Sequence, residues 1–225
     1  FKNNFIDKNF NNLIVKSMWQ IIKKEQISEK VVFDLFDGIE MDLNESVKLK
    51  SKKDLLMYSY RVAGTVGLMM SKILKVDNKV SLKGAIDLGI AMQLTNIARD
   101  VIEDKNRNRE YIEYNFSSIE ETIHNAELFY QKSFFAIGSI PIRSRFAVIV
   151  ARRVYKKIGH YILKQKNIEN YNKVGKIYVP MPGKVLETFL STIDFLRLLF
   201  MKNVGYDNSE NHSILNQEIN LNERI

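Results

Sequence analysis

The chain has 225 residues, 45% of them hydrophobic, and no cysteine, which allows one domain with a full core and excludes disulfides and thiolate metal sites. Its net charge of +8 reads first as a solvated basic surface, and it also suits diphosphates or an anionic membrane face. No zinc-ligand spacing, ribonucleoprotein motif or basic heptad helix points to nucleic acid, and no apolar run is long enough to span a membrane.

Three Pro and ten Gly leave room for long helices. Leu13, Ile14, Met18, Ile21 and Ile22 recur at helical spacing and predict a helix over 10–25. Ser28 caps a second over 29–43, and Ser51 opens a long third to about 74. After the Asp77-Asn78 turn, Ser81 caps the fourth. Ser117 or Ser118 starts a helix reaching Gly138, and Pro141 fits the first turn of the next, which runs to Gln165. A loop rich in Asn, Tyr and Lys leads to a last helix from Pro182 to about Met201. No segment alternates as a strand. The reading is one all-α domain over 1–202 with a polar, frayed tail over 203–225.

The fourth helix is the most informative. Gln93, Asn96, Asp100 and Asp104, spaced by three, four and four residues, form one polar stripe, and Ala85 and Gly89 extend it upstream with small side chains. Carboxylates one turn apart repel, and a divalent cation would remove that cost. Carboxylate oxygens suit Mg²⁺, often shared with substrate phosphates. The stripe's flanks are apolar, so it is expected to face an internal cleft. In the third helix, Gly64 and Gly67 each cost about 1 kcal/mol relative to Ala. They serve either close helix packing or a cleft wide enough for a long apolar substrate. Beyond Asp104, the basic loop with Lys105, Arg107, Arg109 and Tyr111 stands where a phosphate would be held. His124, His160 and His212 have no metal-ligand spacing.

Three stretches together resemble the squalene/phytoene synthases. They are Tyr58-x-Tyr60-x-Val62-Ala63-Gly64-Thr65-Val66-Gly67, the run from Gln93 to Asp104, and Arg109-x-Tyr111. Met69-Met70, Pro141-Ile142-Arg143-Ser144 and Ala151-Arg152-x-Val154-Tyr155-x-Lys157-Ile158-Gly159 are similar to the bacterial phytoene synthases in particular. Asp37-Gly38-Ile39-Glu40-Met41-Asp42 fits the helix that follows the family's first catalytic region.

The resemblance implies an isoprenoid (terpenoid) synthase fold, a single helical domain around a central cavity. It implies head-to-head condensation of two geranylgeranyl diphosphates to phytoene, with Mg²⁺, or Mn²⁺ in its place, and no reductant. Farnesyl diphosphate going to squalene or dehydrosqualene is the alternative, and a non-catalytic assembly role is a third reading. Asp100, Asp104, Arg99, Tyr58 and Tyr155 take the catalytic positions, and Asp100, Asp104 and Asn96 the metal positions. Gln93, Asn96, Arg109, Tyr111, Val62, Ala63, Gly67 and Lys176 take the substrate-binding ones. The expected partner is a prenyl diphosphate, and the expected location is the cytoplasm, with peripheral contact at the inner face of the membrane. Lys176 stands for a family Arg, Asn108 for a Gly and Glu113 for a Pro. The family's first Asp-rich motif is not found before Leu13, where Asp7 is alone. The simplest account is an N-terminally truncated piece, inactive by itself.

Overall fold

A computed structural model describes residues 1–200 and 208–225. The first three helices, α1 (Lys2–Ile6), α2 (Leu13–Lys24) and α3 (Glu29–Asp42), enclose a small core of Phe5, Val15, Trp19, Ile22 and Val32. The onset of α2 is set by Asn12, whose side chain accepts from the Ile14 and Val15 amides, so the helix starts later than the expected 10. Trp19 stacks on Phe5 and donates its Nε1–H to the Phe5 carbonyl at 3.1 Å.

The predicted long third helix is interrupted. It runs as α4 (Lys52–Ser59), one π-helical turn (Tyr60–Gly64) and α5 (Thr65–Ile73). Such turns interrupt helices most often where they carry function. Next comes α6 (Lys79–Asn106), the 28-residue centre of the bundle, which buries Leu82, Ile86, Ile90, Leu94 and Ile97. Asn78 rather than Ser81 caps it, accepting from the Val80 and Ser81 amides. The Ser81 hydroxyl instead pairs with Ser139 at 2.6 Å. At the far end, Asn108 adopts φ 57. That left-handed conformation favours Gly and tolerates Asn, which accounts for the departure read at this position.

The chain then makes a short pairing absent from the sequence reading. Parallel strands β1 (Val47–Lys48) and β2 (Arg109–Glu110) tie the end of α6 to the end of α3. Against α6 pack α7 (Phe116–Ser133), capped by Asn115 rather than Ser117 or Ser118, and α8 (Ile142–Leu163). A 3₁₀ turn over Phe135–Ser139 separates these two, so α7 stops short of Gly138. The Asn-rich segment read as loop holds α9 (Ile168–Val174), with Asn167 as cap and Tyr171 buried. Last in the bundle is α10 (Met181–Phe200), whose outward side leaves Val185, Phe189, Ile193 and Phe200 exposed. It buries Glu187, Ser191 and Asp194 instead.

The expected frayed tail is corrected from Asn208 onward; 203–207 lies outside the described residues. Here α11 (Ser209–Leu215) and the residues after it pack onto the bundle, burying Leu215 and Leu221. His212 bonds Asp87 at 2.8 Å, and the Asn208 amide donates to the same carboxylate at 2.7 Å. The Arg224 Nε donates to Asp34 at 2.9 Å, where the Tyr60 hydroxyl also donates at 2.7 Å. Local composition misleads because the partners of these polar residues sit on α3 and α6, far away in sequence.

Candidate active site

A cavity of about 320 Å³ lies where α5 and the π turn approach α6. Its wall from the π turn and α5 includes Val62, Ala63, Gly67 and Met70, and its floor on α6 includes Ala85, Leu88, Gly89, Met92, Gln93 and Asn96. Ala136, Ile137, Ile140 and Val148 close the far side. The lining is almost entirely apolar. Asn96 Oδ1 is enclosed with no hydrogen-bond partner, an acceptor left open to a ligand or cation.

The glycines answer the two readings of the third helix jointly. A Cβ on Gly67 would stand 2.3 Å from the Ala85 carbonyl oxygen, and one on Gly89 would stand 2.3 Å from that of Ala63. These glycines therefore do not widen the cleft. They let two backbones touch, and the cavity opens beside that contact. Tyr58 is not among the residues that line this cavity. One turn earlier on the helix, it points to the end of α3.

There the Tyr58 hydroxyl lies 3.0 Å from both Asp42 oxygens, and the Tyr111 hydroxyl donates to Asp42 Oδ1 at 2.8 Å. The two rings stack at 4.6 Å. Burial first, then the neighbouring Asp42 charge, pushes the Tyr111 hydroxyl up to about 12, so it stays a donor at neutral pH. No local spacing marks Asp42 as functional, because its partners lie 16 and 69 residues away. Arg109 donates to the carbonyls of Asp42 at 2.8 Å and Glu45 at 3.3 Å. It caps the C-terminus of α3. Arg109, expected to bind phosphate with its fork, also lines a small recess with Asp104 and Tyr111.

One turn past Asn96 on α6 come the carboxylates. Arg99 grips its neighbour Asp100 through Nε–Oδ1 at 2.8 Å and Nη2–Oδ2 at 2.6 Å. Lys176 reaches Asp100 at 3.2 Å and Glu103 at 2.5 Å. Burial would raise the Asp100 carboxyl, but the Arg99 hydrogen bonds and charge, aided by Lys176, hold it below the usual range. Asp104 goes the other way. Burial first, and then the Asp100 charge, pushes it up to about 6. A pair with separated affinities for protons is what two close carboxylates produce, and a hard dication would let both ionise. Among the described residues no group of three or more His, Asp or Glu side chains is placed to hold a metal by itself.

Two further residues complete the cluster. Tyr155 on α8 is half-buried between the two larger cores. Tyr171 sends its hydroxyl to the Ala98 and Arg99 carbonyls at 2.9 and 2.7 Å. It fixes the turn that presents Arg99, and the loop reading of its segment hid it. The arrangement puts an apolar cavity and a cluster of Arg99, Lys176 and two carboxylates along one helix.

Comparison with known proteins fits this geometry. A squalene/phytoene synthase family model matches residues 7–112, which include the stripe and its loop. A 15-cis-phytoene synthase of Pantoea ananas is 33% identical over 161 residues, covering 62% of this chain and 52% of that protein. One of Enterobacter agglomerans is also 33% identical over 161 residues, with 62% and 54% covered. The chain thus spans about half the length of these curated relatives. A crystal structure of a dehydrosqualene synthase in complex with ligand matches with a TM-score of 0.65 and 25% identity, over 85% of this chain and 75% of that one.

Proposed function

Since the chain belongs to the squalene/phytoene synthase family and has its helical isoprenoid synthase fold, we propose that the full-length protein joins two geranylgeranyl diphosphates head to head to give phytoene. The observation that carries the reading is one helix face. It gives an apolar cavity at Gly89 to Asn96 and a carboxylate pair, Asp100 and Asp104, immediately beyond it.

One substrate loses its diphosphate, and the allylic cation is attacked by the double bond of the other. Loss of a proton leaves a cyclopropyl diphosphate. A second ionisation and rearrangement, with loss of another proton, yield the hydrocarbon without a reductant. The carboxylates of Asp100 and Asp104, with the free Oδ1 of Asn96, have the donor chemistry for Mg²⁺ or Mn²⁺. Bound there, the cation would supply charge that stabilises the leaving diphosphate. Arg99 and Lys176, which neutralise Asp100, sit ready to turn to the incoming anion. Gln93 orients the head at the cavity mouth, and Val62, Ala63 and Gly67 keep water from the cation. Tyr155, packed between the two larger cores, offers an aromatic face to a carbocation. Tyr58 and Tyr111, locked on Asp42, hold the loop that carries Arg109.

A second reading, the same chemistry on farnesyl diphosphate, is favoured by the likeness to a dehydrosqualene synthase. A non-catalytic assembly role is disfavoured by the intact carboxylate pair. No helix among the described residues is long and apolar enough to cross a membrane. The proposed location is the cytoplasm, with peripheral contact at the inner membrane face, for which the outward apolar side of α10 is suited.

The test is product extraction from the full-length enzyme given geranylgeranyl or farnesyl diphosphate, with and without EDTA. Phytoene is expected only with metal. Asp100→Asn and Asp104→Asn each lower turnover by about 100-fold or more while preserving the fold. Full activity in the double variant would sink the mechanism, and preference for farnesyl diphosphate would select the second reading.

A further inference from the structure

Behind α8 a second cleft of about 490 Å³ opens against α7 and α10, and it shares no lining residue with the apolar cavity. Arg152, Arg153, Lys156, Lys157 and Arg197 line it, with Glu187 and Asp194. The acids are already engaged. Arg153 donates to Glu187 at 2.9 Å and to Asp194 at 2.8 Å, and Lys157 reaches Glu187 at 3.1 Å. Lys156 reaches the nearby Glu127 at 2.5 Å. A network that only fastened α10 to α8 would balance its charges, and this one does not.

Arg152 carries the excess. It is 7% exposed and forms no ion pair among the described residues. Its Nε and Nη2 both donate to one acceptor, the Tyr130 carbonyl, at 3.2 and 2.8 Å. Its guanidinium lies 4.9 Å from the centroid of the Phe134 ring, and that of Arg197 lies 5.4 Å from the same ring. Burial pushes the Arg152 guanidinium down, and Asp194 and Glu127 oppose this only through space. A buried cation without a carboxylate is costly unless an anion joins it. Arginine forks match phosphate oxygens in shape as well as charge.

We propose that this cleft binds a phosphate-bearing anion, held by Arg152 and Arg197 across Phe134 and by Lys156 at the rim. The chemistry is the same for a soluble phosphate and for a phospholipid headgroup.

The experiment titrates inorganic diphosphate into the full-length protein in EDTA, which removes metal-held diphosphate at Asp100 and Asp104. Saturable binding is expected, with a rise in Tm of roughly 2–4 °C. Arg152→Met and Arg197→Gln should each weaken binding by about tenfold or more. Met retains the length and the apolar contact with Phe134, so Arg152→Met should fold at least as well as wild type without the anion. Arg197 is exposed, so its variant keeps the test usable if the other misfolds. Cosedimentation with phosphatidylglycerol vesicles is the second arm. Vesicle binding that both variants lose and diphosphate competes away identifies a headgroup, whereas diphosphate binding without vesicle binding identifies a soluble anion. No saturable response to either probe, or one the two variants leave unchanged, overturns the proposal.

Discussion

The upstream and downstream halves of α6 continue one helical stripe but are built on different principles. From Ala85 to Gly89 the face is a matter of shape: small residues bring α6 against the helix of Ala63 and Gly67 until backbone meets backbone. From Gln93 to Asp104 it is a matter of charge, with two carboxylates whose proton affinities are driven apart by unequal partners. Shape at such a contact has no slack, because interiors are packed like crystals. Charge is adjustable, because pH, a cation or a neighbouring side chain can each restore the balance. Single methyl groups should therefore cost more upstream than single charges cost downstream.

The largest effect is expected at Gly89. Alanine there places Cβ against the Ala63 carbonyl oxygen, and neither backbone can yield without moving a helix. Overpacking of this kind costs about 3 kcal/mol at its upper range, and the better helix propensity of Ala returns about 1. A net loss near 2 kcal/mol lowers Tm by roughly 4–8 °C. Calorimetry on Gly89→Ala checks it. A neutral result would mean that α5 and α6 slide apart freely, and the contrast between the halves would disappear.

Downstream, pH is the lever. Asp104 has a folded value of about 6 against an ordinary 3.8, so the native state binds its proton more tightly than the unfolded chain does. The stability this contributes is full below the unfolded value and is lost as pH rises through about 6. Asp100 has the opposite sign: its contribution is full above 3.8 and is lost as pH falls through its depressed folded value. Asp104→Asn should therefore flatten the stability profile between about 4 and 6 and leave the more acidic limb intact. On the proposed metal reading, Mg²⁺ must displace the Asp104 proton below pH about 6, so the Tm gain from Mg²⁺ should grow through that range and then level off. A Mg²⁺ effect independent of pH would separate the cation from Asp104.

Sequence disclosed this helix well because both halves obey one local period, and the cavity followed from that period. What it concealed depends on distant partners. Asp42 is an ordinary helix-end acid until Tyr58 and Tyr111 converge on it. Tyr171 sits in an Asn-rich stretch with no apolar rhythm, yet it secures the Arg99 turn. The tail reads as polar because its anchors, Asp87 and Asp34, belong to other helices. Periodicity in α10 marks Val185, Phe189 and Ile193 as one apolar face, but it cannot say that this face points outward while Glu187 and Asp194 are buried on Arg153. The family resemblance supplied the roles of Arg109 and Tyr58, and no local pattern announces the bonds both make at the end of α3.

The smallest effect tests how local the charged half is. Asp100 has two cationic partners, the adjacent Arg99 with a two-point grip and Lys176 at 3.2 Å from beyond α9. Lys176 is partly exposed and shares its charge with Glu103, so its attraction to Asp100 is screened. Lys176→Gln should therefore change stability by only about 0.5 kcal/mol, and Lys176→Arg by no more, since either leaves the Arg99 fork in place. Denaturant titration of both variants, with the acid limb of the stability profile followed in each, reads this out. If Lys176→Gln instead removes the acid limb assigned to Asp100, the charge balance of the downstream half is set by the segment after α9. The two halves would then differ in a second respect, one held by its own helix neighbours and the other by a distant loop.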